Sequence, residues 1–266
     1  MELHGKVALV TGGGSGIGQS TARRLAAEGM QVCVVDVDGP AAHTTAEEIG
    51  GMAVPADVSD SAQVDAAFAA CVAAFGTVDL AFLNAGVSGG ILDLATTSDA
   101  DYERIRGVNQ DGVVFGARAM VRTVRERIGG GTGGVIIATS SLAGIDPLPP
   151  NPIYTLTKHA VVGLIRALAP ALALDGITAH AICPTVTDTA MLSESRKPFF
   201  EAMGIIPVPP DRVAEAVIMA ATSGPEKSGT CWTVLSDATL PHQFTEVVGP
   251  HTALNAIRPP SEVAQQ

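Results

Sequence analysis

Val7-Ala-Leu-Val-Thr-Gly-Gly-Gly-Ser-Gly-Ile-Gly18 is the stretch on which the reading of this chain turns. Residues 7–10 are short, apolar and β-branched, the pattern of a strand buried on both faces. A glycine-rich turn follows. Beyond it Ile17, Ala22, Leu25 and Ala26 recur at helical intervals, and Gly29 supplies a stop. Strand, glycine turn and helix in this order make an anion-binding entry, because a helix N-terminus offers N–H groups without partners. Gly12 and Gly18 are expected to take backbone angles closed to other residues, and Gly16 to let a pyrophosphate approach. The glycines are spaced Thr-Gly-x-x-x-Gly-x-Gly, so the flanking strand and helix carry much of the weight.

Working outward, residues 31–35 read as a second buried strand that ends in Asp36. A helix is predicted over 41–49, then a strand over 52–54 leading to Asp57 and Val58. Ser59 is placed to cap a helix with Val64, Ala67, Phe68, Cys71, Val72 and Phe75 on its apolar face. A strand over 78–83 closes in Asn84-Ala85-Gly86, and a long helical region covers about 98–127. Glycine-rich residues 129–134 precede a strand (135–139), so they read as a flexible surface loop. A helix over 153–168 should kink or end at Pro170, a strand covers 177–183, a helix 213–221 and a last strand 230–235. The tail from 241 should be irregular. The alternation predicts an α/β fold, one doubly wound Rossmann-type parallel sheet with helices on both faces, as a single domain over 1–266. Gly12, Asp36, Asp57, Asn84, Ser141 and Pro184 each follow a predicted strand, and should converge where such sheets bind ligands.

Composition narrows the function classes. Of 266 residues 47% are apolar and only 16% charged, enough for a large core. Sixteen basic against 27 acidic residues leave a net charge of −11, the wrong sign for a nucleic-acid or anionic-membrane partner. Cys33, Cys71, Cys183 and Cys231 are isolated in apolar runs, and the histidines form no metal-binding pair, so no metal is expected. The first strand begins too early to leave room for a signal peptide. The most apolar helix, near 160–174, is interrupted by Arg166 and Pro170, which predicts no membrane span and a cytoplasmic setting.

Asp36 ends the strand beside which the adenosine ribose of a dinucleotide should lie. Its carboxylate can accept both ribose hydroxyls and would repel a 2′-phosphate, and Ser15, Val37 and Asp38 offer no offsetting charge. NAD is therefore expected over NADP. Tyr154 and Lys158 are four apart on a predicted helix, hence on one face. The ammonium, together with a positively charged nicotinamide ring, would lower the phenol pKa toward the range of a general acid/base. Ser141, after the fifth strand, has a hydroxyl to offer a substrate oxygen.

Taken together these motifs resemble the short-chain dehydrogenase/reductase family, classical type, over about residues 5–235. The resemblance implies that the 11–18 loop holds the cofactor through Gly12, Ser15, Gly16, Ile17 and Gly18, and that Asn84-Ala85-Gly86 serves its adenine side. Asp57 and Val58 would contact the adenine. Asn109, Ser141, Tyr154 and Lys158 are similar to the family's catalytic tetrad. Ser141, thirteen residues before the tyrosine, fits the family spacing better than Ser140. Tyr154 would be the acid/base, Lys158 would also bind the nicotinamide ribose, and Asn109 would help hold a water relay. Pro184, Thr187 and Thr189 would flank the nicotinamide. Three departures stand out: Thr185 where the family usually has glycine, His180 for a common asparagine, and Leu235-Ser-Asp237 at the last strand's end.

The family likeness implies an NAD-dependent oxidoreductase acting on a secondary alcohol or ketone, assembled as a homo-oligomer (dimer or tetramer). An NADPH-dependent 3-oxoacyl reductase and a non-catalytic dinucleotide sensor are the alternatives. Residues 188–210, with Met191, Leu192, Phe199, Phe200, Met203, Ile205 and Ile206, look like a substrate lid facing Leu142, Ile145, Leu148 and Pro149. An apolar small-molecule substrate is the expectation. Residues 241–266 would form a C-terminal extension.

Overall fold

The computed structural model describes residues 1–90, 92–127, 133–192, 197–202, 204–236 and 238–242. One eight-stranded sheet organises them, in the order β3-β2-β1-β4-β5-β6-β7-β8. The strands are β1 (Val7–Thr11), β2 (Gln31–Asp36), β3 (Met52–Pro55), β4 (Leu80–Leu83), β5 (Gly134–Thr139), β6 (Ile177–Pro184), β7 (Cys231–Val234) and β8 (Thr239–Pro241). The first seven pair in parallel, and β8 returns antiparallel along β7. This last strand departs from the expected all-parallel sheet. It is a three-residue hairpin return too short to show a period of two in the sequence.

Alternate residues of each strand supply opposite layers. Val7 and Leu9 face a core completed by Val64 and Phe68 of α3 (Ser61–Phe75), Val113 and Ala117 of α5 (Gly112–Arg125), and Val161 and Ile165 of α6 (Pro152–Ala171). Ala8 and Val10 face the other, with Ala22 and Leu25 of α1 (Gly16–Ala27), Ala42 and Ala46 of α2 (Gly39–Ile49), and Val213 and Val217 of α8 (Pro210–Thr222). Burial on both faces is why these strands read as continuous apolar runs. The strand order reverses between β1 and β4, and ligands of such sheets bind at that switch point.

Several local expectations change. Asp60, not Ser59, caps α3, accepting from the Ala62 and Gln63 amides; Ser59 instead donates to the Asp57 carboxylate at 2.7 Å. The helical region after Ser98 is α4 (Asp99–Arg106) running into α5 through a π-helical stretch, Gly107–Asp111. Pro170 falls in the last turn of α6, which ends one residue later. The glycine-rich loop lies largely outside the described residues, as does the tail from 243.

His180 has a physical consequence. It sits in the middle of β6, fully buried, and neither ring nitrogen has a partner among the described residues. Burial, with the amino terminus second, lowers its pKa to about 4 from 6.5. A depressed histidine is neutral in the fold and charged in the unfolded chain at intermediate pH. Its stabilisation is therefore present above pH 6.5 and lost as pH falls through 4. We expect acid unfolding to be steeper in this protein than in its His180→Asn variant, by up to about 3 kcal/mol between pH 7 and 4, read from denaturant melts. Parallel pH profiles would refute this.

Candidate active site

The carboxyl ends of β1, β2, β3, β4, β5 and β6 open into one cavity of about 910 Å³. Gly12, Asp36, Asp57, Asn84, Ser141 and Pro184 all line it. So do Ser15, Gly16, Ile17, Val58, Ala85, Gly86, Tyr154, Lys158, Thr187 and Thr189. Gly18 and Asn109 are buried behind the lining.

At one end lies the turn after β1. Gly12 and Gly16 carry positive φ (64° and 51°), whereas Gly18 does not. The reason for Gly18 is contact: a Cβ there would lie 2.0 Å from the Gly12 carbonyl oxygen. Helix α1 thus packs directly on the strand end. The side chain of Ser15, its N-cap residue, makes no capping bond, which leaves the first-turn N–H groups available to an anion. The Asp36 carboxylate accepts from the Gly14 amide at 2.9 Å and the Asp38 amide at 3.0 Å, so it braces the turn with two acceptor sites still free. Thr189 lies over Gly16, where a Cβ would meet its methyl at 3.0 Å. These residues fit a dinucleotide: a turn without side chains, free helix-end donors and a carboxylate for a diol.

Asn84 ties the middle of the site together. Its Nδ2 donates to the Thr11 carbonyl at 3.1 Å, and its Oδ1 accepts from the Thr139 hydroxyl at 3.0 Å. Its own amide donates to Thr11 Oγ1 at 2.9 Å. Gly86, two residues on, leaves space for Asn109 Oδ1 and Lys158 Nζ, which a Cβ would meet at 3.3 and 3.6 Å. Asn109, carried on the π-helical stretch, clamps Val87: Oδ1 accepts from the Val87 amide at 2.7 Å, and Nδ2 donates to the Val87 carbonyl at 2.9 Å.

Helix α6 brings Tyr154 and Lys158 to the other end. Lys158 is buried; its Nζ donates to the Thr139 carbonyl at 2.9 Å and stands 5.5 Å from the Tyr154 ring centre. Burial lowers its pKa to about 8 from 10.5. Burial also raises the Tyr154 pKa, against a hydrogen bond with Ser141 that lowers it. The depression expected from the lysine does not appear in the chain alone, where protein around the phenol disfavours the phenolate. Ser140 points elsewhere, donating to the Lys158 carbonyl at 2.9 Å. Ser141 Oγ accepts from the Ala143 amide at 3.1 Å.

Above these groups the cavity wall is apolar. Met191, Leu192, Phe200 and Ile205 line it from residues 188–210, opposite Leu142, Pro147 and Leu148. The base of that segment is stitched shut by the Asp188 amide donating to Val208 O at 2.9 Å and the Val208 amide to Val186 O at 2.8 Å. The segment contains α7 (Lys197–Ala202). Ile145 packs into the core, Pro149 and Ile206 are not in the lining, and Met203 and the Phe199 side chain lie outside the described residues. Thr185 also lines the cavity, its amide bonded to Val234 O at 3.1 Å. Sequence reasoning missed Val87, Ser88, Asp146 and Asn151, which line the cavity from irregular segments with no strand or helix pattern to announce them.

The short chain dehydrogenase family model matches residues 6–198. The chain is 36% identical over 199 residues to the levodione reductase of Leifsonia aquatica, covering 72% of this chain and 73% of that one. It superposes on a crystal structure of a 3-ketoacyl-(acyl-carrier-protein) reductase from Brucella melitensis complexed with NADH, with a TM-score of 0.82 and 35% identity over 88% of this chain and 98% of that one. A short chain dehydrogenase from Burkholderia cenocepacia in complex with NADP is similar too, with a TM-score of 0.81 and 28% identity over 89% and 98%.

The close contact of α1 with β1 generates a stability test. Gly18→Ala should destabilise the protein by about 1–3 kcal/mol, since the Gly12 carbonyl cannot yield without moving the turn. Gly163→Ala, on α6 with open space around it, should instead stabilise by about 0.5–1 kcal/mol. Equal melting temperatures for the two variants would contradict the packing account.

Proposed function

The chain belongs to the short chain dehydrogenase family and is an oxidoreductase acting on secondary alcohols or their ketones with a nicotinamide dinucleotide, and from that premise we propose an NAD-dependent enzyme for an apolar substrate. The observation that carries this reading is the convergence of Ser141, Tyr154 and Lys158 beneath an apolar wall. NAD, when bound, supplies the hydride acceptor, and its reduced form the hydride donor. Gly12, Ser15, Gly16, Ile17 and Gly18 would hold its phosphates, Asp36 its adenosine ribose, Asp57 and Val58 its adenine, and Pro184, Thr187 and Thr189 its nicotinamide end. Tyr154 Oη gives the proton to the carbonyl oxygen in reduction and removes it from the hydroxyl in oxidation. Ser141, bonded to that phenol, orients the same oxygen. Lys158, its charge buried beside the ring, favours the phenolate as it forms and would bind the nicotinamide ribose. Asn109 acts through the Val87 backbone that it clamps.

Similarity to the 3-ketoacyl-(acyl-carrier-protein) reductase favours a second reading, reduction of a carrier-bound 3-oxoacyl group. The charges speak against it. The described cavity lining carries Asp36, Asp57 and Asp146 against the single buried cation Lys158, which does not favour an anionic carrier. Lys197, in the lid, is paired with Asp188 at 3.0 Å. We propose further a cytoplasmic, single-domain protein in which 188–210 is the lid, and a homo-oligomer. An apolar groove between α5 and α6, lined by Val114, Val121, Leu164 and Leu168, supports the last point.

The test is a series of 2-alkanols assayed by reduced-cofactor absorbance. Each buried methylene contributes up to about 0.8 kcal/mol, so kcat/KM should climb from four to eight carbons. Tyr154→Phe should lower turnover at least ~10²-fold while leaving NAD affinity nearly unchanged. A preference for short polyols, or an active Phe variant, would defeat the reading.

Cofactor choice is tested separately. A 2′-phosphate beside Asp36 sets like charges a few ångströms apart, at a cost on the order of 1–4 kcal/mol. NAD should be preferred by roughly 10-fold or more, and Asp36→Ala should narrow the ratio mainly by improving NADP. Equal kcat/KM for both cofactors in the unmutated enzyme would rule this out.

A further inference from the structure

One wall of the cavity is irregular backbone. Val87, Ser88 and Gly90 line it beyond the end of β4, with Gly89 and Gly90 at positive φ (69° and 80°). Such a segment has no sheet neighbour to satisfy its amides and carbonyls, so something else must hold it. Two buried asparagines do. Asn109 takes both polar groups of Val87, as described. Asn151, only 4% exposed, donates both Nδ2 hydrogens, to the Ser88 carbonyl at 2.5 Å and the Gly90 carbonyl at 2.6 Å. Its Oδ1 simultaneously accepts from the Tyr154 amide at 2.9 Å as the N-cap of α6. One amide group thus joins the wall to the helix turn that carries the phenol. A backbone bond alongside, from the Leu92 amide to the Pro150 carbonyl at 3.1 Å, runs between the same two segments.

We propose that Asn151 is a positioning residue for the reaction: its amide locks the 88–90 wall to the start of α6, so that substrate is held against Tyr154 in a closed, fixed cavity. The proposal rests on the reading of Tyr154 as the acid/base. The two ends of the amide have separable effects. The cap sets the backbone of Tyr154, whereas the two donor bonds set the wall. Serine at this position retains a capping oxygen but has no reach to the wall. Alanine retains neither.

The experiment compares Asn151→Ser and Asn151→Ala with the parent in the full chain, using 2-octanol and NAD, at a temperature well below each variant's melting point. Asn151→Ser should raise the KM for 2-octanol at least ~10-fold with kcat within about 3-fold and NAD affinity unchanged. Asn151→Ala should lower kcat as well. Hydrogen exchange of the amides in residues 86–90 should quicken in Asn151→Ser, a readout that needs no turnover. A serine variant with parental KM and parental exchange overturns the proposal, as does a variant that only melts earlier. If Tyr154→Phe stays active, the acid/base reading fails instead; if that variant is inactive while both Asn151 variants are normal, only the positioning role is lost.

Discussion

The site depends on how the carboxyl ends of β1, β4 and β5 are held at the point where strand order reverses. Diverging crossovers leave a crevice there, and a crevice between strand ends is where unpaired backbone groups accumulate. Asn84 closes it from within. Through one side chain and its own amide it reaches the Thr11 carbonyl, the Thr11 hydroxyl and the Thr139 hydroxyl, so three strand ends share one set of hydrogen bonds. The glycine turn leaves from Thr11, and the carbonyl of Thr139 receives Lys158 Nζ. A shift of Asn84 would therefore be felt at both ends of the cavity.

Side-chain size and burial then divide the labour. At the turn after β1 the fold removes atoms: Gly12, Gly16 and Gly18 leave a turn on which α1 packs to within contact of the strand-end carbonyl. Around Tyr154 and Lys158 it buries polar groups instead. Lys158 is buried with a carbonyl partner and no carboxylate partner among the described residues, which lowers its pKa to about 8, and Tyr154 is desolvated enough to raise its own. Two groups whose charged forms are both disfavoured by burial are sensitive to any charge that enters the cavity, because the surrounding dielectric screens it weakly. Met191, Leu192, Phe200 and Leu148 add an apolar wall to that environment.

Asparagines, two of them buried, recur wherever chain without regular structure meets the site. Asn84, Asn109 and Asn151 each use an amide as both donor and acceptor. An amide can satisfy a carbonyl and an N–H of the same loop and still donate a second hydrogen, which a hydroxyl, with one hydrogen, and an ionised carboxylate, with none, cannot do. The π-helical stretch at Gly107–Asp111 serves this arrangement, since it carries Asn109 to Val87 inside a helix otherwise committed to packing on α3.

Much was determined by sequence alone. The doubly buried strands announced themselves as apolar runs and the glycine turn by its place between strand and helix; a four-residue spacing put Tyr154 and Lys158 on a shared helix face, and the family resemblance marked that face as a site. These are local or periodic signals, and the backbone geometry that decodes them is the same in every fold. Tertiary structure alone decided the rest. Gly18 is required by a carbonyl six residues away and not by its own φ, and Asp60 displaced Ser59 as a cap because Asp57 had already engaged that serine. The short antiparallel β8, the two bare nitrogens of His180 and the clamp from Asn151 to Ser88 and Gly90 are equally invisible in the string of residues. The balance of burial against the Ser141 bond at Tyr154 belongs with them. Each is set by which distant groups come within hydrogen-bond or van der Waals range, and only the packing of the whole sheet and its helices fixes those distances.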